Sequence, residues 1–447
     1  MTTHGKNTNA GDEPHYLMVA ESVWSDGDLD LSNNFADGDA RWFAAESLEA
    51  GPHARPNRFG SLWSVHDIGV PVAILPVYVA ATRLAAHVPE GWLARFRQTQ
   101  GHLAYALIGL ALTALSALAI TLMTSGLGRR AGPRAAAIVA LACGLSPPVL
   151  SMSFLIFPET IALAIVCAVV WLAFLRDEET TFARMIGVAI AIGVMPWLHR
   201  KFALVALGLL VVLIYERRVW FTTAGTGQRL LVAAAALVPH AAFHAWTVVY
   251  WGNLGGPQLL GGLPFSWTSL PRGALGLLFD RSRGLIGGAP IYLLAPAAWL
   301  IAWRRTWPWL LPIALLYLPM AAYVDWPSGW APAARYLAPI LPLVALPAAF
   351  ALQSRAFRAI AWPILAWQLV LTAVAWQYPR GFWPTDDTSN GLLERVPLVG
   401  PVVDRWLPSI ASGDPLGPAW IWAGLAVGAA LIVVTLKSTS GVVLRRT

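Results

Sequence analysis

An acidic pair, Asp12-Glu13, opens a sequence that is otherwise dominated by long apolar runs. Because charge is costly near hydrocarbon, a carboxylate pair in such a chain is a candidate for chemistry at a membrane surface. A carboxylate within hydrogen-bond reach of a hydroxyl can remove its proton during a transfer reaction. We therefore predict that Asp12 is a general base, and that Glu13 orients the acceptor, shares the proton or helps to hold a divalent metal. The competing interpretation is a helix cap ahead of Pro14, and the two roles can coexist.

A cationic run, His199-Arg200-Lys201, interrupts an apolar stretch at an end that we predict to face outward. Lys and Arg normally collect on the cytoplasmic side, so an outward cluster indicates an anionic partner. Arg200 is the first candidate for binding a phosphate because its fork makes two parallel hydrogen bonds. Lys201 is the second, as a point charge, with His199 beside it. The alternative is that these side chains extend to lipid headgroups.

Four more residues are candidate binding groups, each with a structural alternative. Glu159 either contacts substrate or offsets a helix dipole from the first helical turn. His66 either positions substrate or marks a polar break before an apolar segment. Arg335-Tyr336 either binds phosphate or pairs with Asp325. No Gly-rich phosphate loop, zinc-ligand spacing or Ser-His-Asp arrangement stands out, so the spacing predicts neither a nucleotide site nor a metal site.

The elements that must position these groups lie in a membrane. The chain has 447 residues, of which 57% are hydrophobic and 12% charged, and its mean hydropathy is +0.58. This composition excludes an ordinary soluble domain. The net charge of +7 comes largely from loops beside apolar runs, so it favours anchoring at anionic lipid and argues against nucleic-acid binding.

Apolar runs that suit helices of roughly 17 to 25 residues predict about eleven membrane spans. They cover 101–127, 135–154, 158–175, 185–197, 202–215, 230–250, 287–303, 307–323, 337–352, 359–376 and 419–436. Arg and Lys clusters fall on alternate loops, which we predict to be cytoplasmic. The long loops 252–286 and 377–418 then face outward, within a transmembrane domain of residues 101–447.

The N-terminal region, residues 1–100, is expected to lie outside the cytoplasm and to carry the acidic motif. Apolar positions after Pro14 recur at helical spacing, which predicts a helix lying in the membrane interface. Residues 68–87 are apolar but interrupted by Gly, Pro and Arg, so they either span the membrane or lie flat as a broken helix.

Several separated segments together resemble the GT-C superfamily of polytopic glycosyltransferases, which includes protein mannosyltransferases and the aminoarabinose transferase of lipid A. The matching segments, in order, are Asp12-Glu13-Pro14-His15-Tyr16, Ser64-Val65-His66-Asp67-Ile68-Gly69-Val70-Pro71, Phe157-Pro158-Glu159, Pro196-Trp197-Leu198-His199-Arg200-Lys201 and Ala334-Arg335-Tyr336. The resemblance implies an all-α polytopic fold with interfacial helices and places 68–87 flat on the outer face. In that family a first membrane helix precedes the acidic motif. Since no such helix precedes Asp12 in this sequence, we expect either that the true translation start lies upstream of Met1 or that the protein is a truncated variant.

The resemblance also implies an inverting transfer of a hexose or pentose from a polyprenyl-phosphate donor to a hydroxyl of a glycan, lipid or protein. Asp12 would be the base, and Arg200 and Arg335 would stabilise the leaving phosphate. We expect the protein in a bacterial inner membrane. A transporter or flippase of lipid-linked saccharides, and an inactive scaffold of the same fold, are the alternatives.

Overall fold

The structure is a computed structural model, and it describes residues 11–43, 48–259, 264–327, 329, 331–384 and 386–439. The described chain is mainly α-helical. In chain order the α-helices are α1 Glu13–Ser25, α2 Ser32–Asp37, α3 Gly69–Ala86, α4 Glu90–Ala94, α5 Gln100–Ala131, α6 Pro133–Gly144, α7 Pro147–Met152, α8 Pro158–Phe174, α9 Phe182–Gly193, α10 Met195–Leu198, α11 Ala203–Glu216, α12 Arg218–Thr223, α13 Thr226–Trp251, α14 Leu270–Phe279, α15 Leu285–Gly288, α16 Ala295–Thr306, α17 Leu310–Ala322, α18 Leu341–Ala351, α19 Arg355–Gln377, α20 Val399–Trp406 and α21 Gly417–Thr439.

Short 3-10 helices connect many of these elements. They are Asp39–Phe43, Gly51–His53, Asp177–Glu179, Arg200–Phe202, Gly256–Leu259, Pro290–Leu294, Trp307–Trp309, Arg335–Ile340, Pro379–Phe382 and Leu393–Arg395. The strands found in the described residues are β1 Ala54–Pro56 and β2 Leu62–Ser64, which form an antiparallel hairpin with Ala54 opposite Ser64.

The predicted all-α polytopic architecture is confirmed. Each of the eleven predicted apolar runs contains an α-helix, and α5, α8, α13, α19 and α21 follow their predicted bounds within a few residues. Four helices, α3, α5, α13 and α19, are long and apolar enough to cross a membrane, and six further apolar helical segments are shorter. The protein is therefore a multi-pass integral membrane protein, and the count of eleven spans stays a prediction.

The two long outward loops contain helices that the span rule does not detect. Within 252–286 lies α14, which packs against α17, and within 377–418 lies α20. Both are too short for a rule that looks for roughly 17 to 25 apolar residues. Arg281 and Ser282 follow α14 in a turn that Asp280 organises by accepting hydrogen bonds, including one from Ala411 N at 2.9 Å. The two loops are thus fastened to each other.

The segment predicted to be either a span or a broken helix forms one continuous helix, α3. Pro76 lies inside it without ending it. The helix α3 packs on α1 and α5, and the Tyr78 hydroxyl donates a hydrogen bond to Glu21 of α1. At its first residue, Gly69, a Cβ atom would lie 2.3 Å from the backbone carbon of Trp197, so only glycine permits this approach of α3 to α10.

The helix α1 is enclosed by protein, which the sequence did not predict, and its position relative to the membrane stays a prediction. A helix lying on a bilayer keeps one polar face in water, yet residues 13–22 are all buried inside the protein. The helix is enclosed by α3 and by the 3-10 helix Asp39–Phe43, which itself packs on α5. Its N-terminus is therefore held in the protein interior, close to the first turns of α8 and of the 3-10 helix Arg335–Ile340.

Candidate functional site

The two carboxylates of the acidic pair point to different surroundings. Glu13 is fully buried, and its carboxylate accepts hydrogen bonds from the Tyr105 hydroxyl at 2.9 and 3.0 Å and from Ile156 N at 2.9 Å. The side chain of Asp12 is 25% exposed and lies 3.5 Å from the Arg335 guanidinium. Glu13 thus fastens the start of α1 to α5 and to the loop before α8, whereas Asp12 faces an accessible site.

Asp12 occupies the N-cap position of α1, but its side chain makes no capping hydrogen bond. Its backbone carbonyl instead accepts from the N–H groups of His15 at 3.1 Å and Tyr16 at 3.2 Å. The helix-cap interpretation of this carboxylate therefore fails. Asp12 occupies the N-cap position of α1, but its carboxylate is directed toward Arg335 and makes no bond to the helix N-terminus.

Three residues that are distant in the sequence form a buried charged group beside Asp12. Lys201 Nζ lies 2.5 Å from Glu159 Oε1, and Arg335 Nε lies 3.8 Å from the same oxygen. The side chains of Glu159 and Lys201 are 0% and 5% exposed. Glu159 comes from the first turn of α8, while each cation comes from a 3-10 helix. Asp12, Glu159, Lys201 and Arg335 are called the charged cluster below.

The charged cluster contains polar atoms without a partner. Glu159 Oε2 and Arg335 Nε are both buried and make no hydrogen bond within the described part of the chain. An unpaired buried donor or acceptor costs about 1 to 3 kcal/mol, so each such atom calls for an explanation. A ligand that supplies the missing partners is the explanation that the accessible position of Asp12 favours.

Arg200, the first candidate from sequence for binding phosphate, is engaged elsewhere. Its Nη2 lies 2.5 Å from Asp67 Oδ1, its backbone N–H and Nε bind Asp67 Oδ2 at 2.9 and 3.2 Å, and Nη1 donates to the carbonyl of Gly255. The guanidinium therefore joins the segment before α3, the 3-10 helix Arg200–Phe202 and the loop after α13. Lys201 and Arg335 are the cations that remain at the site. Arg335 pairs with Asp12 and Glu159, and no ion pair among the described residues joins it to Asp325, which was the alternative to phosphate binding.

Two other predicted residues shape the surroundings of Lys201. The Nδ1 atom of His199 accepts the backbone N–H of Lys201 at 3.2 Å, which fixes the turn before the 3-10 helix. The ring of Tyr336 lies 4.7 Å from Lys201 Nζ and 5.1 Å from Arg335 Cζ. A cation over an aromatic face is stabilised by the ring quadrupole, so Tyr336 supports both charges without neutralising them.

Three imidazoles lie next to Asp12, and only His66 was a candidate from the sequence. The ring of His53 stacks on that of His15 at 3.8 Å between centroids, and His53 Nδ1 lies 3.0 Å from His66 Nε2. One ligand atom each from Asp12, His53 and His66 lies within 4.8 Å of the others. The Glu13 carboxylate accepts hydrogen bonds from Tyr105 and Ile156, and the metal expected at Asp12 and Glu13 stays a prediction.

The β1–β2 hairpin brings His53 and His66 together, and this explains why sequence spacing alone missed His53. The two histidines flank the strands, and Val65 N donates to the His53 carbonyl at 2.9 Å. The turn is set by Asn57, whose side chain accepts from Phe59 N at 2.8 Å. Asn and Gly, which occur in residues 57–60, are typical of turns. This pattern could have predicted the hairpin from the sequence.

The environment sets the protonation state of the site at neutral pH. Burial by itself would raise the pKa of Asp12, but Arg335 and, more weakly, His66, His53 and Lys201 outweigh it and lower that pKa below its usual value. Burial, followed by the nearby His53 and His66, lowers the pKa of His15 to about 3. Asp12 is therefore ionised and able to accept a proton, while His15 is neutral.

Comparison with solved structures identifies the fold. The crystal structure of ArnT from Cupriavidus metallidurans bound to undecaprenyl phosphate superposes with a TM-score of 0.51 at 16% identity, covering 97% of this chain and 73% of that one. The protein has a GT-C-like fold. The apo structure of the same ArnT gives a TM-score of 0.48 at 17% identity, covering 97% and 72%. No protein-family model and no curated protein matches the sequence. The GT-C-like fold thus rests on structure, and activity must be argued from the site.

Proposed function

We propose that this protein is a glycosyltransferase that moves a sugar from a polyprenyl-phosphate donor to a hydroxyl acceptor at the outer face of a bacterial inner membrane. The observation that carries the proposal is Asp12, an accessible carboxylate 3.5 Å from Arg335 and next to the buried Lys201–Glu159 pair. A base thus lies beside two cations in one site. The ArnT structure with the same fold is bound to undecaprenyl phosphate, which supports a donor of that class.

In the proposed reaction the acceptor oxygen forms a bond to the anomeric carbon while the bond from that carbon to the phosphate oxygen breaks. The acceptor proton moves to the Asp12 carboxylate, and the electron pair of the broken bond leaves on the polyprenyl phosphate. Because the nucleophile approaches opposite the leaving group, a single displacement inverts the anomeric configuration. Asp12 is the only acid in the charged cluster with an exposed side-chain fraction above a few per cent, which suits this role.

Lys201 and Arg335 would stabilise the phosphate as its charge develops. Fixed cations in a site that excludes water stabilise a leaving group more than they would in bulk solvent. Arg335 offers a buried Nε–H without a hydrogen-bond partner and a fork suited to phosphate, whereas Lys201 offers a point charge. Glu159 holds both cations in place before the donor arrives. Arg200, tied to Asp67, is a positioning residue in this proposal.

The test uses the native host, because the sugar need not be known in advance. In a deletion strain complemented with the wild-type gene or with Asp12→Asn, polyprenyl-phosphate sugars are measured by mass spectrometry. Loss of a general base slows transfer by roughly 10²- to 10⁴-fold, so we expect the donor to accumulate in the Asp12→Asn strain, while the purified variant still binds undecaprenyl phosphate. The Asp37→Asn control removes an exposed acid on the nearby α2 and should behave like wild type.

The alternatives give different results in the same experiment. Normal donor consumption in the Asp12→Asn strain would contradict the enzyme and favour a transporter or flippase, which needs no base. An unchanged donor pool in the deletion strain itself would contradict both and favour an inactive scaffold. Loss of undecaprenyl phosphate binding in Lys201→Met, with Asp12→Asn binding normally, would support the division of roles between base and cations.

A further inference from the structure

We propose that an apolar cleft among α6, α16, α18 and α19 binds one anionic phospholipid of the cytoplasmic leaflet. An acyl chain would lie in the cleft, and the phosphate would lie at the helix ends that the charge pattern predicts to be cytoplasmic. The cleft encloses about 580 Å³, counting its open side, and ligand sites span about 300 to 1,000 Å³. None of its lining residues belongs to the charged cluster, so this site is separate from the proposed active site.

The walls of the cleft suit a hydrocarbon chain. They are formed by apolar side chains such as Ile138, Val344 and Leu365. Two buried polar groups on the wall satisfy each other, because the Tyr292 hydroxyl donates a hydrogen bond to Cys143 Sγ at 3.4 Å. A polar ligand would lose its hydrogen bonds to water here without gaining replacements, which is costly. The walls therefore select an apolar chain over a sugar or a nucleotide.

The cleft is accessible from the side of the protein that faces lipid. Trp362 on its rim is 49% exposed, and Ile138, Ala142 and Leu365 are partly exposed. The helix that carries Trp362 and Leu365, α19, is long and apolar enough to cross a membrane. Hydrocarbon thus lies against this rim, and a chain of a bilayer lipid can enter the cleft sideways.

Three arginines continue the lining of the cleft toward one end. Each lies four or seven residues from a lining residue of the same helix, and positions at these spacings share a helix face. The pairs are Arg134 and Ile138 in α6, Arg305 and Ala298 in α16, and Arg358 and Trp362 in α19. Three helices therefore each present a cation on the face that lines the cleft.

Two of these guanidinium groups lie at the C-terminal end of α18. Arg358 Nη1 donates to the carbonyl of Leu352, a lining residue, at 2.6 Å, and Arg305 Cζ lies 5.4 Å from the ring centre of Phe350. Within the described part of the chain, no ion pair joins Arg134, Arg305 or Arg358 to a carboxylate. Basic pockets between membrane helices on the cytoplasmic side bind anionic headgroups. Cations at the end of an apolar cleft match a phosphate attached to a hydrocarbon chain.

The competing explanation is that these arginines only retain their loops in the cytoplasm. Retention depends on the number of positive charges beside a span and does not require them to share a face. Arg304 would serve retention as well as Arg305, yet it is rotated about 100° around α16 relative to its neighbour. Because both are exposed and differ mainly in the face they occupy, Arg304 is the matched control for Arg305.

Lipid binding is tested by native mass spectrometry on the full-length protein, purified in detergent and stripped of lipid. The probes are dioleoyl phosphatidylglycerol, which is anionic, and dioleoyl phosphatidylcholine, which is zwitterionic. We expect wild type to bind one phosphatidylglycerol at least 5-fold more tightly than phosphatidylcholine. Arg305→Gln combined with Arg358→Gln should abolish this preference, whereas Arg304→Gln should keep it.

A second pair of variants tests the cleft itself. Ala142→Phe places a ring in the cleft and should weaken phosphatidylglycerol binding at least 5-fold. Leu141→Phe changes the neighbouring exposed position outside the cleft and should bind like wild type. Thermal unfolding shows whether each variant folds, and if Ala142→Phe does not, the arginine variants still decide. Phosphatidylglycerol should also raise the unfolding midpoint of wild type more than that of the double arginine variant.

Several results would overturn the proposal. These are equal binding of the two lipids by wild type, an unchanged preference in the double arginine variant, and unchanged binding in folded Ala142→Phe. Undecaprenyl phosphate that displaces phosphatidylglycerol from wild type at equal concentration would assign the cleft to a prenyl chain and would also overturn it. Asp12→Asn should bind phosphatidylglycerol like wild type, so failure of the proposed glycosyltransferase activity leaves this inference intact.

Discussion

At the scale of single residues, the site depends on charged side chains that are each paired with a residue far away in the sequence. Lys201 and Glu159 are 42 positions apart in sequence, and Asp12 and Arg335 are 323 apart. Removing one member of a buried ion pair leaves the other uncompensated, which costs more than the pair itself contributes. The same residues therefore determine both stability and the charge presented to a donor.

Replacing Glu159 with Ala should expose this cost. Lys201 would remain buried with no anionic partner in contact, and we expect a loss of about 3 to 5 kcal/mol in the free energy of unfolding. The measurement is thermal unfolding of the purified protein in detergent. Glu49→Ala, which removes an exposed carboxylate, is the control and should leave the midpoint unchanged. A midpoint for Glu159→Ala equal to that of the control would contradict the buried pair.

Replacing Tyr105 with Phe tests the assignment of Glu13 as an anchor. The change removes a hydroxyl that donates to Glu13 and leaves the ring, so we expect a loss of about 1.5 to 3 kcal/mol in unfolding free energy, as for a hydrogen bond to a charged group. Binding of undecaprenyl phosphate should persist in the folded variant. Tyr215→Phe, at a half-exposed ring, serves as the comparison and should have no effect. If Tyr105→Phe and Tyr215→Phe have the same free energy of unfolding, the hydrogen bond from Tyr105 to Glu13 does not stabilise the protein.

The sequence allowed most of these residues to be predicted, but not their partners. Asp12, Glu159, Lys201 and Arg335 were recognisable because charges are expensive beside apolar runs. Spacing carries no information on which of two adjacent cations turns toward the site. The sequence favours Arg200 over Lys201 as the phosphate ligand, whereas in the structure Asp67 engages Arg200. Such choices depend on tertiary packing between elements far apart in the chain.

At the scale of elements, the position of Lys201 in the site depends on the contact between α3 and α10. The close approach at Gly69 places the preceding Asp67 beside Arg200, and this ion pair sets the start of the 3-10 helix that carries Lys201. Apolar length and charge predicted α3 and its neighbours as helices. The helix α14 and the β1–β2 hairpin were missed because neither has the length or the alternation that those rules detect.

Gly69→Ala should therefore disturb the site from a distance. Its Cβ atom would meet backbone atoms of Trp197 at 2.3 and 2.4 Å, which cannot move aside as a flexible side chain would. We expect a loss of about 1 to 3 kcal/mol in unfolding free energy, and donor accumulation in cells. In Gly91→Ala, within α4, the added methyl group meets nothing within 4 Å. That control should be neutral or slightly stabilising. Equal behaviour of the two variants would contradict the α3–α10 contact.

At the scale of the whole molecule, the proposal requires that the N-terminal region and the loops 252–286 and 377–418 share one face of the membrane. Cationic clusters beside alternate helices predict that face to be the outer one, since positive loops are retained in the cytoplasm. The structure places Asp12 of the N-terminal region against Arg335, which follows α17. The two must consequently lie on the same side.

Cysteine labelling of intact cells tests this arrangement with little background, because the native Cys143 and Cys167 are both buried. A membrane-impermeant thiol reagent should label Arg41→Cys, in the N-terminal region, and Glu394→Cys, in the loop 377–418, without permeabilisation. It should label Glu178→Cys, between α8 and α9, only after permeabilisation, because Arg176 and Arg184 flank that loop. Each of these three positions is exposed to solvent. Labelling of Arg41→Cys from the inside alone would place Asp12 in the cytoplasm, where a donor presented on the outer leaflet could not reach it.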